Sequence, residues 1–218
     1  MNNNVTVAID GNAASGKGTL ATKLSKYFNF AYLDTGKLYR ASALIIKKKG
    51  IDYKDIQMVI NLIKKHSFSD FNFNDKHLKS DEVGKLASFI SGYKDLRKIL
   101  LTYQIKFAQE QHPNKRGVIL DGRDIGTVVL PEANIKFFVT ASIEARAERR
   151  WKELISLGQS TIKRHVEKDI RDRDKRDSKR KYSPLVASQD AILINTTNLD
   201  ANEVFLLAKK HIEEYLLI

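Results

Sequence analysis

Cysteine is absent from the 218 residues. That excludes a disulfide framework and any thiolate metal site, and it permits a reducing compartment. Proline occurs only three times and glycine 11 times, which sets aside collagen-like and low-complexity classes. The histidines His66, His77, His112, His165 and His211 are scattered, with no ligand spacing of the HExxH kind, so no structural metal is expected. No run approaches the roughly 18 apolar residues of a membrane span. The opening MNNNVTVAID has no basic segment followed by a long apolar one, so no signal peptide is expected. A cytoplasmic location without a membrane partner is the default expectation.

What is present is an ordinary globular balance, 42% hydrophobic and 29% charged, with a net charge of +12. The basic excess points to polyanionic partners, either nucleic acid or nucleotide phosphates, and charge alone does not separate the two. RDRDKRDSKR, Arg171 to Arg180, poses the same question in ten residues. It reads equally as a nucleic-acid tail, a solvated helix face or a set of guanidiniums aimed at phosphates. No aromatic-interleaved basic stripe accompanies it, so no nucleic-acid partner is expected.

Val5 to Ile9 is a short apolar, β-branched run breaking at Asp10-Gly11, and it reads as a buried strand. Leu20, Ala21, Leu24 and Phe28 then recur at helical spacing. Phe30 to Leu33 reads as a second strand, followed by a helix that stops near Gly50. Residues 51–115 have a different texture. Amphipathic stretches at 54–65 and 82–111 flank FSDFNFNDKHL, Phe68 to Leu78, whose alternation reads as small antiparallel strands. The segment is expected to be an insertion with its own minor core. Gly117 to Asp121, Ile135 to Thr140 and Ala191 to Asn195 read as further strands, with helices at about 142–157 and 202–217. Apolar strands alternating with helices predict an α/β fold, a parallel sheet flanked by helices.

Between the first strand and helix stands GNAASGKGTL. Gly11, Asn12, Ala13, Ala14, Ser15, Gly16 and Lys17 fit GxxxxGK, with Gly18 and Thr19 opening the helix. Such a loop cradles phosphate oxygens on backbone N–H groups at a helix N-terminus, and Lys17 would reach the outer phosphates. Gly18 stands where the loop usually carries the hydroxyl ligand for Mg2+. The expectation is therefore no direct protein ligand, with the ion held by ATP oxygens and waters. Asp121, at the end of a buried strand, sits where an acid orients magnesium-bound water. Arg123 and Asp124 follow on the edge of the sheet where ligands bind. In DTGKLYR, Thr35 lies near a helix start suited to anions and Arg40 lies one to two turns on, although Thr35 taken singly is also explained as part of an N-capped helix.

GNAASGKGT, DTGKLYR, LDGRDIGTVV and RDKRDSKR in this order resemble the bacterial-type cytidylate kinase family of the nucleoside monophosphate kinase superfamily, over nearly the whole chain. The resemblance implies a P-loop core of 1–40, 116–156 and 184–218, an acceptor-binding insertion of 41–115 and a lid of 157–183. It implies that Thr35 and Arg40 contact the acceptor monophosphate. Ser88, Arg97 and Asp124 would recognise the cytosine ring, and Arg123 would clamp phosphate. Arg173, Asp177 and Arg180 match the family's arginines and its pentose-contacting aspartate. ATP and CMP or dCMP would be the substrates, Mg2+ would accompany ATP, and the protein would be a monomer. Asn12 departs from the family's usual proline.

On a helix, Arg173, Asp177 and Arg180 at i, i+4 and i+7 would share one face with Arg176 beside Asp177. A phosphate acceptor already carries its nucleophilic oxygen, so no general base is required, in keeping with the lack of a convincing catalytic histidine. Lys17, Arg123, Arg173 and Arg180 are the candidate catalytic cations. Two alternatives stay open at this point: a P-loop kinase acting on UMP or another small acceptor, and a nucleic-acid-binding P-loop protein.

Overall fold

A computed structural model describes residues 5–67 and 70–217 of the chain. Five strands form one parallel sheet: β1 (Val5–Gly11), β2 (Ala31–Asp34), β3 (Gly117–Gly122), β4 (Ile135–Thr140) and β5 (Ile192–Asn195). Their spatial order is β2-β3-β1-β4-β5, which puts β1 at the centre. The helices are α1 (Lys17–Phe28), α2 (Thr35–Lys48), α3 (Ile56–Lys64), α4 (Asp81–Ile90), α5 (Lys94–Gln109), α6 (Ile143–Ser156), α7 (Lys163–Lys179) and α8 (Ala201–Leu216).

The strands are apolar on both faces because helices cover both. Val7, Ile9, Ile119, Phe137 and Val139 point to the side packed by α1 and α8. Ala8, Leu33, Val118 and Leu120 point to the other, which α2 to α5 cover. Each fully buried Leu or Ile contributes about 1.5–3 kcal/mol of transfer free energy, so both layers are held chiefly by this core. A small third cluster, Ala147, Leu154, Val166 and Ile170, joins α6 to α7.

The insertion differs from its sequence reading in three respects. It has no core of its own: Val59, Phe71, Val83 and Leu96 continue the cluster that holds Leu38, Val118 and Leu120. The amphipathic stretch 82–111 is two helices. Ser80 caps α4 through Val83 N, and the chain turns at Ser91-Gly92-Tyr93 before α5. The expected strands of Phe68 to Leu78 are replaced, over 70–78, by turns and a 3-10 turn at Lys76–Lys79. Phe68 and Ser69 lie outside the described residues. Polar side chains capture the local backbone here. Asn72 Oδ1 accepts from Asn74 N (3.1 Å) and Asp75 Oδ1 from His77 N (2.9 Å), an alternative to a ladder. The alternating phenylalanines are anchors in the shared core.

Because the sheet is parallel, the C-terminal ends of β1, β2 and β3 meet at one edge. Asp10 pairs with Gly122 there, and Asp34 with Asp121.

Candidate active site

A cleft of about 1570 Å3 opens at that edge, between the loop after β1, α2, α4 and α7. The loop from Gly11 to Gly16 leaves the end of β1, where Gly11 lies beside Val139 of the neighbouring β4. A Cβ on Gly11 would lie 2.0 Å from the Val139 carbonyl oxygen, and Gly11 adopts φ 151°. No side chain larger than hydrogen fits. Ala14 and Gly16 also take positive φ, 58° and 93°, which folds the loop back over the start of α1. No side chain caps α1, so its first amides are left for an acceptor from outside the helix. Arg146 and Thr196 hold the loop from behind. Arg146 Nη1 donates to the Ala13 carbonyl (3.4 Å) and Thr196 Oγ1 to the Ser15 carbonyl (2.9 Å).

Lys17 lines the cleft and donates to the Asn12 carbonyl (3.4 Å). Burial, reinforced by the Arg123 charge, lowers its pKa from the usual lysine range. Asp121 is pushed in the opposite direction by burial and by Asp34 beside it, and its Oδ1 accepts from Tyr32 Oη (3.3 Å). Gly18 brings the first turn of α1 against this acid, its Cβ position lying 3.5 Å from Asp121 Oδ2. Thr35 is buried at the first position of α2, after the capping Asp34, and donates to the Asp121 carbonyl (2.7 Å). Arg40 reaches across to the carbonyls of Leu78 (2.6 Å) and Ser80 (3.4 Å) and packs on Gly84.

The deep end holds Ser88, Arg97 and Asp124, all buried. Arg97 Nη2 pairs with Asp124 Oδ2, Nη1 donates to the Ser91 carbonyl (3.1 Å), and the guanidinium lies over the Tyr39 ring. From the α7 side, Arg123 Nε donates to Asp177 Oδ2 (3.0 Å), and Arg173 Nε stands 3.7 Å from the same oxygen. Burial alone would raise the Asp177 pKa, but Arg123, Arg173 and Arg180 outweigh it and the net shift is downward. Burial and the Arg123 charge lower Arg173 to about 9. Two contacts cross from α4 to α7: Lys85 Nζ to Asp169 Oδ2 (2.8 Å), and Arg176 Nε donating to Ser88 Oγ (3.3 Å).

Most of the residues singled out from sequence thus line one cleft: Ala13, Ala14, Lys17, Gly18, Thr35, Arg40, Ser88, Arg97, Asp121, Arg123, Asp124, Arg173, Asp177 and Arg180. Gly11, Asn12, Ser15 and Gly16 shape the loop behind it. Thr19 is exposed and is not part of the cleft lining. One expectation changes: Arg180 does not continue the α7 face. The helix ends at Lys179, and Arg180 is extended (φ −64°, ψ 143°) as the chain approaches Ser183-Pro184. Its Nε bonds the Ser183 carbonyl, and Nη2 reaches 3.9 Å from Asp124 Oδ1.

Three supporting residues escaped the sequence reading. Asp10 accepts from the backbone N–H of Ile125 (2.8 Å) and Gly126 (2.7 Å), which fixes the loop carrying Arg123 and Asp124. Arg146, buried on α6, pairs with Asp174 of α7 (2.7 Å) while holding the phosphate loop. Tyr39 supplies the ring under Arg97. Asp10 carried a signal as an acid ending an apolar strand, and Tyr39 stood within DTGKLYR, whereas Arg146 carried none.

A parallel α/β sheet with a glycine-rich loop opening its first helix, above a cleft of arginines and acids, defines a P-loop kinase. The chain belongs to the cytidylate kinase family, whose sequence model matches residues 7–214. It is 45% identical over 202 residues to the cytidylate kinase of Paramagnetospirillum magneticum, covering 93% of this chain and 94% of that one. It is 44% identical over 202 residues to that of Rhodospirillum rubrum, with the same coverage. A solved structure of an uncharacterised protein from Eubacterium ventriosum shares the fold, with a TM-score of 0.55 at 14% identity over 96% of this chain and 98% of that one.

Proposed function

We propose that the protein transfers the γ-phosphoryl group of ATP to CMP or dCMP, giving ADP and CDP or dCDP. The observation that carries this reading is one cleft with a phosphate loop at one end and the Ser88–Arg97–Asp124 cluster at the other. Cytosine presents a ring nitrogen and a carbonyl as acceptors and an amino group as donor. Arg97 and Ser88 supply donors and Asp124 an acceptor, a set complementary to that edge. Uracil would place a carbonyl against the Asp124 carboxylate.

The acceptor phosphate attacks directly, so catalysis consists of alignment and charge compensation. Two unit charges ~4 Å apart repel by about 4 kcal/mol at an effective dielectric near 20, and two polyphosphates carry several. Lys17 and the α1 N-terminus take the ATP phosphates. Thr35, Arg40 and Arg123 take the acceptor phosphate, with Arg173 and Arg180 arriving from the α7 side. Buried Arg173 Nε and Arg180 Nη2 lack hydrogen-bond acceptors among the described residues, a deficit that phosphate or base oxygens would fill. Asp177 accepts from the pentose hydroxyl. We assign 41–115 as the acceptor-binding insertion and 157–183 as a lid over the P-loop core, the lid meeting the insertion through the α4–α7 contacts across the cleft. Closure on both substrates would keep water from competing as acceptor.

The residues present suit a magnesium ion. Asp121 and Asp34 are neighbouring hard oxygen donors, at paired positions on β3 and β2, and Asp34 raises the Asp121 pKa. Asp121 would hold the ion through water; when bound, magnesium neutralises charge on the ATP phosphates. A monomer acting in the cytoplasm, where ATP and nucleoside monophosphates meet, completes the proposal.

ADP production with CMP, dCMP, UMP, AMP and GMP tests it. Acceleration by CMP and dCMP well above the other acceptors is expected, and no acceleration by either would sink the reading.

A further inference from the structure

The phosphate loop and α7 meet behind the cleft through two kinds of contact. Arg146 of α6 is buried, and each nitrogen of its guanidinium serves a different partner. Nε donates to the Ala141 carbonyl (2.9 Å), Nη1 to the Ala13 carbonyl of the phosphate loop (3.4 Å), and Nη2 pairs with Asp174 Oδ2 of α7 (2.7 Å). The second contact is apolar. Ala14, held in the loop at φ 58°, packs on the cluster of Ala147, Leu154, Val166 and Ile170 that joins α6 to α7. Asp174 directly follows Arg173, whose buried Nε has no hydrogen-bond acceptor among the described residues. One guanidinium thus spans from the loop for the ATP phosphates to the turn of α7 that carries Arg173.

We propose that Arg146 is a positioning residue that yokes the phosphate loop to α7, so that ATP in the loop fixes where α7 holds Arg173. Loop amides that close on phosphate immobilise the Ala13 and Ala14 peptides. Arg146 passes that position to Asp174, because a planar guanidinium keeps its donors at set angles. A lysine ammonium at this position keeps the charge for Asp174 but has no rigid fork to tie three separate acceptors together. Ordering α7 once, for the first ligand, removes that cost for the second. The two substrates then bind with positive coupling, and each raises affinity for the other by the same factor.

The coupling rests on the proposed assignment of Arg173 to the acceptor, but the loop–α7 tie can be read without any acceptor. Trp151, the single tryptophan of the chain, packs on the α6–α7 cluster, and its Nε1 donates to the Thr161 carbonyl (3.1 Å). Its fluorescence is followed while wild type, Arg146→Lys, Asp174→Asn and Arg146→Met/Asp174→Leu are titrated with a non-hydrolysable ATP analogue and Mg2+. Calorimetry then gives the CMP affinity of each protein with and without saturating analogue. In wild type the analogue should shift Trp151 emission and tighten CMP by about fivefold or more. Arg146→Lys and Asp174→Asn should still bind the analogue, yet lose most of both responses. The double variant replaces the buried pair by apolar groups, which avoids an unpaired charge should a single variant misfold, and it should lose both responses too. A merely structural tie would lower the melting temperature and leave the coupling of the folded protein intact. Coupling within about twofold of wild type in Arg146→Lys or in the double variant would therefore overturn the role of Arg146. So would an unchanged Trp151 response in those variants, or wild type that binds both ligands without coupling. Wild type in which Trp151 responds to the analogue but CMP does not bind would remove the proposed acceptor, and loss of that response in Arg146→Lys would still support the tie.

Discussion

Replacing Asp10 by asparagine keeps the shape of a buried carboxylate and removes its charge. The carboxylate is 5% exposed and accepts two backbone N–H groups, yet burial raises its pKa from 3.8 to about 6, helped by the nearby Asp124 charge. A rise of that size corresponds to about 3 kcal/mol. The sign follows from proton uptake. Between about pH 4 and pH 6 the folded protein keeps a proton that the unfolded chain has released, so stability falls as pH rises through that window. Above it, ionised Asp10 carries the full cost. Asparagine does not titrate, but its amide NH2 must face either Ile125 N or Gly126 N, leaving a buried donor unpaired at a cost of about 1–3 kcal/mol. Asp10→Asn should therefore be less stable than wild type near pH 4 and about equal to it near pH 7. Urea unfolding followed by circular dichroism, at intervals from about pH 4 to pH 7.5, measures the difference. A stability gap that stays constant across that range would refute the argument, because then no proton is taken up at Asp10. The loop it holds carries Arg123 and Asp124, so a fall in kcat/KM for CMP should accompany the substitution.

Gly11→Ala places a methyl carbon 2.0 Å from the Val139 carbonyl oxygen. A loss of at least about 3 kcal/mol is expected, seen as a melting temperature lower by roughly 6 °C or more, and a soluble variant melting like wild type would contradict the packing. Asp177→Asn leaves Arg123 and Arg173 without their shared acid. It should raise KM for CMP, and it should make the protein gain more melting temperature from added inorganic phosphate than wild type does. Equal gains would mean that these guanidiniums do not face the phosphate site.

The strands and the phosphate loop were legible because their signals are local. A continuous apolar run such as Val5 to Ile9 suits only a doubly covered strand, and GxxxxGK between strand and helix leaves few other structures. Strand order was not legible, since β1 lies between β3 and β4 through contacts more than 100 residues apart in sequence. The alternation of Phe71 and Phe73 misled because period two marks a strand only where a partner ladder exists, and here Asn72 and Asp75 bind the backbone first. Arg180 was placed on the α7 face by spacing, although Pro184 four residues on was a sign that the helix would end. Arg146 gave no sign: on α6 it is one arginine among several, and only the loop above it makes it a structural tie.

The charge of the cleft is distributed unevenly, in a way that bears on the reaction. Arg97 and Arg180 share Asp124, Arg123 and Arg173 share Asp177, and Arg146 has Asp174. These pairs let five buried or half-buried guanidiniums stand together before any phosphate arrives, when like charges would otherwise push α7 away from the cleft. Lys17 and Arg40 differ. Among the described residues neither makes an ion pair, and both donate only to backbone carbonyls, at Asn12 and at Leu78 and Ser80. Carbonyl dipoles satisfy hydrogen bonds without cancelling charge, and burial already weakens both cations by lowering their pKa values. Neither cation is tied directly to a carboxylate, so their donors stay free of an ion pair at the two ends proposed for the ATP and acceptor phosphates, although Asp121 and Asp34 lie near Lys17 and Asp34 and Glu153 near Arg40. A paired arginine keeps further N–H donors for a phosphate, as the unbonded Arg173 Nε and Arg180 Nη2 show, while its acid offsets its net charge. Lys17 and Arg40 have no such partner among the described residues, so a phosphate bound at either end would supply each with its first hydrogen-bonded counter-charge.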